Sequence, residues 1–419
     1  MRDVLLIAPV CDGEDVGESW LAHQWADLLS EHTRLTLLTT YKRDHTPPSE
    51  QLAGVRVVEW AEPPGVGRFE RFNSLLQPGY PVFYVRARRW IQAELARGTR
   101  FDIAHQVVPV AMRYPSPASG LGVPLVIGPV GGGLASPAAF AVEEGATPWY
   151  QRLRALDQLR LRHDPLLRRT YEQADCVVGI APYVGDLLGH LTLKRLETMS
   201  ETAVRQLPPS VDRSANTRPT RLLWVGRVIR TKGLRDVIRS LDRLRDLHLR
   251  LDVVGDGNDR AACEALVREL KLEETVVFHG ALPRSAVDAF YDSADIFVFP
   301  SYREPGGNVA LEAMASGLPV IVCERGGPGA NVDEECAITL AATDPEQLAR
   351  DCALAVRRLS TDRELRLRMG SAGRRRVKET HLWEHRVRTM LDLYEELLGA
   401  GREGHAPINE QTDGPASWT

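Results

Sequence analysis

The chain contains the segment Glu304-Pro305-Gly306-Gly307-Asn308-Val309-Ala310-Leu311-Glu312, in which a glycine pair lies between two glutamates eight positions apart. An apolar run at residues 295–300 precedes it, and another at 320–322 follows a Gly-Leu-Pro turn. This order predicts a strand, a glycine loop, a helix that begins near Asn308, and a further strand. The first turn of such a helix aims free N–H groups and its positive dipole end at the loop, which suits a phosphate.

The two glutamates add hydrogen-bond acceptors to this loop. Glu304 lies in the loop itself and Glu312 one turn inside the predicted helix, and both carboxylates can accept hydrogen bonds from sugar and ribose hydroxyls. A phosphate with a sugar on either side is a sugar nucleotide, so the stretch predicts a site for one. The same residues also fit an ordinary turn before a helix, and the rest of the chain has to decide between the two interpretations.

Composition indicates a globular protein of two domains. The chain has 419 residues, 43% apolar and 26% charged, which is too long for one typical core. A net charge of −4 gives no basic character that would indicate a nucleic-acid partner. The six cysteines lack zinc-site spacing and predict reduced thiols in a cytoplasmic protein. No run approaches the roughly 18 apolar residues of a membrane span, and the first residues read as a buried strand rather than a signal peptide.

Apolar strands alternate with helical patterns along the whole chain, which predicts an α/β protein with parallel sheets. Predicted strands in the first half cover residues 4–8, 34–39, 55–59, 103–105, 125–127 and 176–180. Those in the second half cover 221–225, 249–254, 275–278, 296–299, 320–323 and 337–340. Predicted helices include 20–30, 81–97, a long arginine-rich helix over 148–173, and 383–398.

We therefore predict two Rossmann-like, doubly wound domains. They cover residues 1–206 and 220–380, joined by a polar, proline-bearing linker at 207–219 and followed by a terminal helix at 381–398. Residues 399–419 are rich in Gly, Pro, Glu and Asn and are expected to be disordered. Two such domains leave a cleft at the carboxyl ends of their strands, where α/β sheets bind ligands.

Two cations open the second domain. Arg227 and Lys232 flank the loop that follows a strand ending at Gly226, and such a pair can neutralise a diphosphate. A solvated loop with incidental charge fits equally. Further strands end in Gly255-Asp256-Gly257 and in His279-Gly280, where glycine permits close approach of a ligand or forms a plain turn.

In their order and spacing, these pieces resemble glycosyltransferase family 4, a family of retaining enzymes with the GT-B fold. The resemblance covers residues 220–340 closely and the first half more loosely. It rests on Gly226-Arg227, Lys232-Gly233, Gly255-Asp256-Gly257, His279-Gly280, Pro300-Ser301 and the run from Glu304 through Glu312 to Val320.

The resemblance implies roles for these residues. Arg227 and Lys232 would bind the donor diphosphate, Glu312 the ribose hydroxyls, and Glu304 the hydroxyls of the donor sugar. Backbone N–H groups near the glycine pair would assist at sugar and phosphate, and the terminal helix would cross back to brace the first domain. The full implied donor set is Gly17, Gly226, Arg227, Lys232, Gly255, His279, Glu304, Gly306, Gly307, Asn308, Val309 and Glu312.

The first domain supplies the acceptor side in this family, and here the chain departs from the pattern. Family members carry two adjacent glycines in the first loop, whereas here Val16 precedes Gly17. The family's D-x-x-H-x-H stretch reads Asp102-Ile103-Ala104-His105-Gln106-Val107, so only its first histidine is present. His105 is thus the candidate active-site histidine, with a buried histidine at a strand end as the alternative.

The predicted reaction is metal-independent transfer of a sugar, with retention, from a nucleoside-diphosphate sugar to an acceptor hydroxyl, and no cofactor. The predicted catalytic residues are His105, Glu304, Arg227 and Lys232. Uridine diphosphate sugars are the favoured donors, and a natural product, glycan or lipid-linked intermediate is the acceptor. A sugar-nucleotide epimerase and a catalytically silent sugar-nucleotide-binding protein are the alternatives. The arginines at 152, 154, 160, 162, 168 and 169 fit either a solvated helix face or contact with an anionic acceptor or membrane surface.

Overall fold

The first half of the chain folds around a seven-stranded parallel sheet. The computed structural model describes residues 1–62, 77–144, 155–213 and 219–400. The strand order is β3-β2-β1-β4-β5-β6-β7, that of a doubly wound sheet with an added edge strand. Its strands are β1 (Arg2–Ile7), β2 (Thr33–Tyr41), β3 (Arg56–Ala61), β4 (Ile103–Gln106), β5 (Leu125–Val130), β6 (Cys176–Gly179) and β7 (Leu196–Thr198).

The second half repeats the same winding in a six-stranded parallel sheet. Its order is β10-β9-β8-β11-β12-β13, so the chain again starts in the middle and builds outward in both directions. The strands are β8 (Thr220–Val225), β9 (Leu249–Val254), β10 (Val276–Gly280), β11 (Ile296–Phe299), β12 (Val320–Cys323) and β13 (Ala337–Leu340).

Helices cover the faces of both sheets. In the first half they are α1 (Glu18–Ser30), α2 (Pro48–Gln51), α3 (Tyr80–Ala96), α4 (Ala141–Glu144), α5 (Ala155–His163), α6 (Pro165–Gln173) and α7 (Tyr183–Leu188). In the second half they are α8 (Leu234–Asp242), α9 (Arg260–Glu269), α10 (Arg284–Ser293), α11 (Asn308–Ala315), α12 (Gly326–Asn331), α13 (Pro345–Thr361), α14 (Arg363–Thr380) and α15 (Trp383–Ala400).

The structure confirms the predicted strands. They could be recognised in the sequence because the central strands are buried on both faces. β4, β5, β6, β11 and β12 are buried along their whole length, so they read as continuous apolar runs. Strand β7 was not predicted, since it is a three-residue edge strand with mostly exposed side chains. The doubly wound α/β architecture expected from the sequence is therefore present twice.

The long helix predicted over 148–173 is wrong where the structure describes it. Helix α5 ends at His163, and α6 begins at Pro165 with Asp164 as its N-cap, its carboxylate accepting from the N–H groups of Leu166 and Leu167. Proline lacks the N–H that a continuous helix needs and favours a first-turn position instead. The predicted arginines 152 and 154, part of the linker at 214–218, and the tail from residue 401 lie outside the described residues.

Each half of the chain sends a segment into the core of the other. Trp383, Val387 and Tyr394 of α15 are buried in the core of the first sheet, where Trp383 packs edge-on against Trp25 at 5.3 Å between ring centroids. In the opposite direction, Phe140 from the first half is fully buried in the core of the second. The two halves are thereby held together at two separate places.

The carboxyl-terminal edges of the two sheets face each other. Leu134 lies in the segment after β5 and approaches Gly326, which follows β12. The Arg325 guanidinium donates to the Ala135 carbonyl at 2.8 Å across the same seam. The loops that end the strands of both sheets therefore line one common cleft, as the doubly wound topology requires for a ligand site.

Candidate active site

The glycine loop after β11 positions the N-terminus of α11 at the cleft. Gly307 has a φ of 85°, and a Cβ there would lie 2.8 Å from the backbone nitrogen of Pro328. Only glycine fits this left-handed position at that distance. Helix α11 therefore begins at Asn308, and its first turn points N–H groups into the loop, as expected for an anion site.

Lys232 and Glu304 meet in this loop. Lys232 ends the short 3₁₀ turn Arg230–Lys232 that follows β8, and its ammonium lies 5.8 Å from the centre of the Phe299 ring. Its Nζ forms an ion pair with the Glu304 carboxylate, and the two side chains are 10% and 18% exposed. The structure thus brings together two predicted site residues that are 72 positions apart in the chain.

Arg227 stands apart from this pair. It is exposed in the loop after β8, next to Gly226. Within the described part of the chain, its guanidinium has no hydrogen-bond or ion-pair partner, although most arginines of this protein are paired. An unpaired guanidinium at the carboxyl end of a strand can receive an anion without first giving up a protein partner.

Glu312 is held in place one turn into α11. Its carboxylate accepts from Arg284 Nη1 at 2.5 Å and from the Tyr291 hydroxyl at 3.0 Å. Burial, and next the Glu312 charge, raise the pKa of Tyr291 well above its ordinary value, so the hydroxyl keeps its proton and donates. The carboxylate is therefore oriented before any ligand arrives, as a hydroxyl-binding group requires.

The predicted glycines at the ends of β8 and β9 serve close backbone packing. A Cβ on Gly255 would lie 1.8 Å from the Gly226 carbonyl oxygen, and the Gly255 N–H donates to the Gly280 carbonyl at 2.7 Å. The His279 ring packs against Phe290, and its Nε2 donates to the Asp252 carboxylate at 2.8 Å. These contacts show what the glycines and His279 do in the fold. Contact of these residues with a donor stays a prediction.

Gly17 at the start of α1 faces open space. Its φ is 69°, and a Cβ there would meet no atom within 4 Å. The preceding Val16, which replaces the family's first glycine, is 83% exposed and does not fill the space in front of the helix. The backbone at this position is therefore accessible to a ligand.

His105 is fully buried in β4 and does not join the other predicted residues. Its Nδ1 bonds the Tyr394 hydroxyl of α15 at 2.6 Å, and its Nε2 bonds the Gly128 carbonyl at 2.6 Å. Burial lowers the pKa of His105 to about 4, so the ring is neutral at pH 7. The predicted catalytic role finds no support in this geometry, because both ring nitrogens are used to hold β4, β5 and α15 together.

Sequence reasoning missed a carboxyl group at the centre of the seam. Glu201 lies after β7, and its Oε1 would be 2.3 Å from a Cβ on Gly306, so the carboxyl packs directly on the glycine loop. The neighbouring Thr202 hydroxyl donates to the Asn308 side-chain oxygen at the start of α11. No motif surrounds Glu201 in the sequence, and only the meeting of the two domains places it at the site.

A second missed feature is an interdomain clasp, which we define as Phe140, Glu143, Arg230, Asp236 and Tyr302. The Phe140 and Tyr302 rings pack against each other at 4.0 Å between centroids, and the Arg230 guanidinium lies beside this pair, 5.3 and 5.4 Å from the two ring centres. It donates to both carboxylate oxygens of the buried Asp236, at 2.6 and 2.9 Å, and to Glu143 at 2.8 Å. The clasp ties the first half to the loop that carries Arg227 and Lys232.

Two further properties of the described chain bear on its chemistry. Among these residues, no group of three or more His, Cys, Asp or Glu side chains is arranged to hold a metal ion. The helices of the described ranges include none with the length and apolar character to cross a bilayer.

Sequence comparison places similarity mainly in the second half. Residues 211–376 match the family model of glycosyl transferases group 1. The chain is 34% identical over 181 residues to the 2-deoxystreptamine glucosyltransferase of Streptomyces kanamyceticus, covering 43% of this chain and 46% of that protein. It is 31% identical over 183 residues to an uncharacterized glycosyltransferase, MJ1607, of Methanocaldococcus jannaschii, covering 42% and 46%. The chain thus spans under half the length of these relatives.

Comparison of structures covers nearly the whole chain. Sucrose-phosphate synthase from Thermosynechococcus elongatus has a TM-score of 0.63 at 21% identity, covering 96% of this chain and all of that one. Anabaena HepE, solved with UDP, has a TM-score of 0.63 at 14% identity, covering 94% and 100%. The prediction of a GT-B fold is confirmed. This chain has the two-domain GT-B architecture of glycosyltransferases, and its residues 211–376 carry the sequence similarity to glycosyl transferases group 1.

Proposed function

We propose that this protein is a retaining glycosyltransferase that moves a sugar from a nucleoside-diphosphate sugar to an acceptor hydroxyl. The observation that carries the proposal is the pairing of Lys232 with Glu304 at the N-terminus of α11, with an unpaired Arg227 nearby. Two cations and a helix N-terminus suit a diphosphate, and two oriented carboxylates suit the hydroxyls on either side of it.

Each residue has a role in this proposal. Arg227 and Lys232 bind the diphosphate, Glu312 binds the ribose hydroxyls, and Glu304 binds the donor sugar. The N–H groups of the loop from Gly306 to Val309 assist at sugar and phosphate, while Gly17, Gly226, Gly255 and His279 line the donor. UDP-sugars are the favoured donors because structural neighbours of the same fold were solved with UDP and with UDP-glucose.

In the proposed reaction, the bond between the sugar carbon and the diphosphate oxygen breaks, and the acceptor oxygen bonds that carbon on the same face. The proton of the acceptor hydroxyl passes to the departing diphosphate. Arg227, Lys232 and the dipole of α11 stabilise the negative charge that develops there. We propose that this requires no metal, because the two side chains supply the charge. His105 acts in this scheme by positioning β4 rather than by touching the acceptor.

The proposal is tested with a panel of nucleoside-diphosphate sugars, measuring free nucleoside diphosphate with and without candidate acceptors. Glu312→Ala and Lys232→Ala should each lower donor turnover by about tenfold or more, the loss of one charge-assisted hydrogen bond. Lys271→Ala, on the surface, is the control. Wild-type turnover in both site variants would refute the assignment. Release of an epimerised sugar nucleotide would identify an epimerase, and binding without any turnover would identify a binding protein.

Two properties of the whole protein belong to the same proposal. We place it in the cytoplasm, since its six cysteines are all free and buried, as in proteins kept reduced. The acceptor belongs to a natural product, a glycan or a lipid-linked intermediate. Among described residues of the arginine-rich segment, Arg160 and Arg168 pair with Asp164 and Glu172 at i,i+4, which favours a solvated helix face over a membrane contact.

A further inference from the structure

Glu201 is a carboxyl group that lacks a partner at the seam between the domains. It packs on Gly306 of the glycine loop, and none of the described residues gives its side chain a hydrogen bond or an ion pair. Burial, with the charges of Glu18 and Glu304, raises the pKa of Glu201 to about 8. A carboxyl in such surroundings costs free energy, so its position calls for a function.

Glu18 approaches the same space from the first domain. It begins α1 directly after the open Gly17, and its carboxylate accepts from Gln77 Nε2 at 3.0 Å and from the Val110 N–H. Burial raises the pKa of Glu18 as well. The charge of Arg113 acts on it, but that guanidinium is already ion-paired with Asp157 at 3.4 Å.

Two buried hydroxyls from the same segments of the chain also lack hydrogen-bond partners. The Tyr114 side chain is 8% exposed, its oxygen has no hydrogen bond within the described chain, and Glu18 is among the groups whose charge acts on it. Ser200, which precedes Glu201 in the chain, is 5% exposed, and its hydroxyl has no hydrogen bond within the described chain either. Buried polar groups are normally satisfied, so both hydroxyls have hydrogen-bonding capacity left for a polar ligand.

The charges around this space are unbalanced. The groups that face Glu201 are Glu18 from α1, Glu304 from the glycine loop, and the Tyr183 hydroxyl from α7. Lys232 is paired with Glu304, and in the proposed function it turns to the diphosphate. Donor binding therefore leaves Glu201 facing the carboxyl groups of Glu18 and Glu304, while the positive charge that acts on Glu18, that of Arg113, is already paired with Asp157.

We propose that Glu201 and Glu18 bind a protonated amine of the acceptor, so that the acceptor is an amino sugar or an aminocyclitol. An ammonium group carries three N–H donors and can bond both carboxylates at once. The Tyr114 and Ser200 hydroxyls then bind ring hydroxyls of the same molecule. This inference rests on the proposed function, because it assigns the acceptor of that reaction.

The test compares ring amines with neutral rings of the same size by isothermal titration calorimetry. The probes are 2-deoxystreptamine and glucosamine, set against myo-inositol and glucose, with and without saturating UDP. We expect the amines to bind at least tenfold more tightly than the neutral rings. We also expect proton release on amine binding at pH 7, seen as a dependence of the heat on the ionisation enthalpy of the buffer, because the ammonium favours the charged carboxylate.

Glu201→Gln keeps the size of the side chain and removes its charge. It should reduce amine affinity tenfold or more, abolish the proton release and leave UDP affinity unchanged, while Glu379→Gln on the surface of α14 changes none of these. The variant should also be at least as stable as the wild type to heat, since it removes a like-charge contact.

Equal binding of amines and neutral rings, or an amine affinity unchanged by Glu201→Gln, would overturn the inference. UDP binding separates this result from the proposed function. If UDP binds and no amine is preferred, only the acceptor assignment fails. If amines bind through Glu201 and UDP does not bind, the amine site stands, but the proposed function fails and the amine is no longer its acceptor.

Discussion

Glu304→Gln should raise the affinity of the protein for UDP and lower its turnover of UDP-sugar. In the free protein Glu304 holds the ammonium of Lys232, so a diphosphate has to compete with this carboxylate for its cation. The carboxylate also repels the diphosphate directly. Glutamine keeps the shape of the side chain but removes both effects, and it leaves the amide able to contact a sugar hydroxyl only weakly.

The magnitude follows from the burial of the pair. With side chains 10% and 18% exposed, an effective dielectric near 20 applies, and charges about 4 Å apart interact by about 4 kcal/mol. When the ammonium moves from the carboxylate to a phosphate, the new ion pair recovers most of this interaction energy. If a third is not recovered, UDP binds the variant about tenfold more tightly, since 1.4 kcal/mol is about one factor of ten. Turnover of UDP-sugar falls about 10- to 100-fold, because a charge-assisted bond of about 1.5–3 kcal/mol to the donor sugar is lost.

UDP affinity is measured by calorimetry and turnover by release of UDP from the donor sugar. Glu264→Gln is the matched control, because Glu264 forms an ion pair with Arg260 at 2.8 Å elsewhere in the second domain. Its variant should bind UDP and turn over like the wild type. If Glu304→Gln lowers both the affinity for UDP and the turnover of UDP-sugar, Glu304 does not compete for Lys232 and the reasoning fails.

Three further predictions concern the framework of the site. Arg230→Met removes both hydrogen bonds of Arg230 to the fully buried Asp236 carboxylate, which keeps only Arg239 at 3.3 Å within the described chain. The second domain should lose about 3 kcal/mol, the low end for breaking a buried ion pair, because Arg239 still pairs with Asp236. Calorimetry should show its melting temperature about 6–12 °C lower, and an unchanged value would contradict the clasp. Gly307→Ala should lower the free energy of unfolding in guanidinium by about 1–3 kcal/mol. The loss should exceed that of Gly317→Ala, where φ is a similar 78° but an added Cβ would meet no atom within 4 Å. Equal losses would contradict the contact between residue 307 and the Pro328 backbone. Because the folded pKa of His105 lies below its unfolded value, its contribution to stability should be lost as pH drops from about 6.5 to 4, a loss of about 3 kcal/mol from this group. Urea titrations of His105→Gln should show a flatter pH dependence than those of the wild type, and an identical dependence would refute the assignment.

Much of the fold follows from local patterns. Strands such as β5 and β12 are buried on both faces, so their apolar runs identify them without further information. The break between α5 and α6 was also readable, since Asp164-Pro165 is a cap followed by a first-turn proline. The three residues of β7 carry no such signal, because an exposed edge strand needs no apolar run.

The sequence predicted only those residues of the site that come from a single domain. Lys232, Glu304 and Glu312 follow strands of a single sheet, so topology alone brings them to one edge. Glu201 and Phe140 reach the site from the other domain, and their contacts depend on how two separately wound sheets meet. His105 was predicted at the site but lies away from it. The sequence around a histidine at a strand end is the same whether the side chain faces a cleft or, as here, packs against the last helix of the chain.

The packing of α15 has a consequence for synthesis of the protein on the ribosome. The first half of the chain leaves the exit tunnel first, yet its core lacks Trp383, Met390 and Tyr394 until the last helix emerges. The second half, including Phe140 from upstream, has its whole core available earlier. The domain that is made first is therefore completed last, and until then it exposes an apolar groove that a chaperone can cover or a neighbouring nascent chain can occupy.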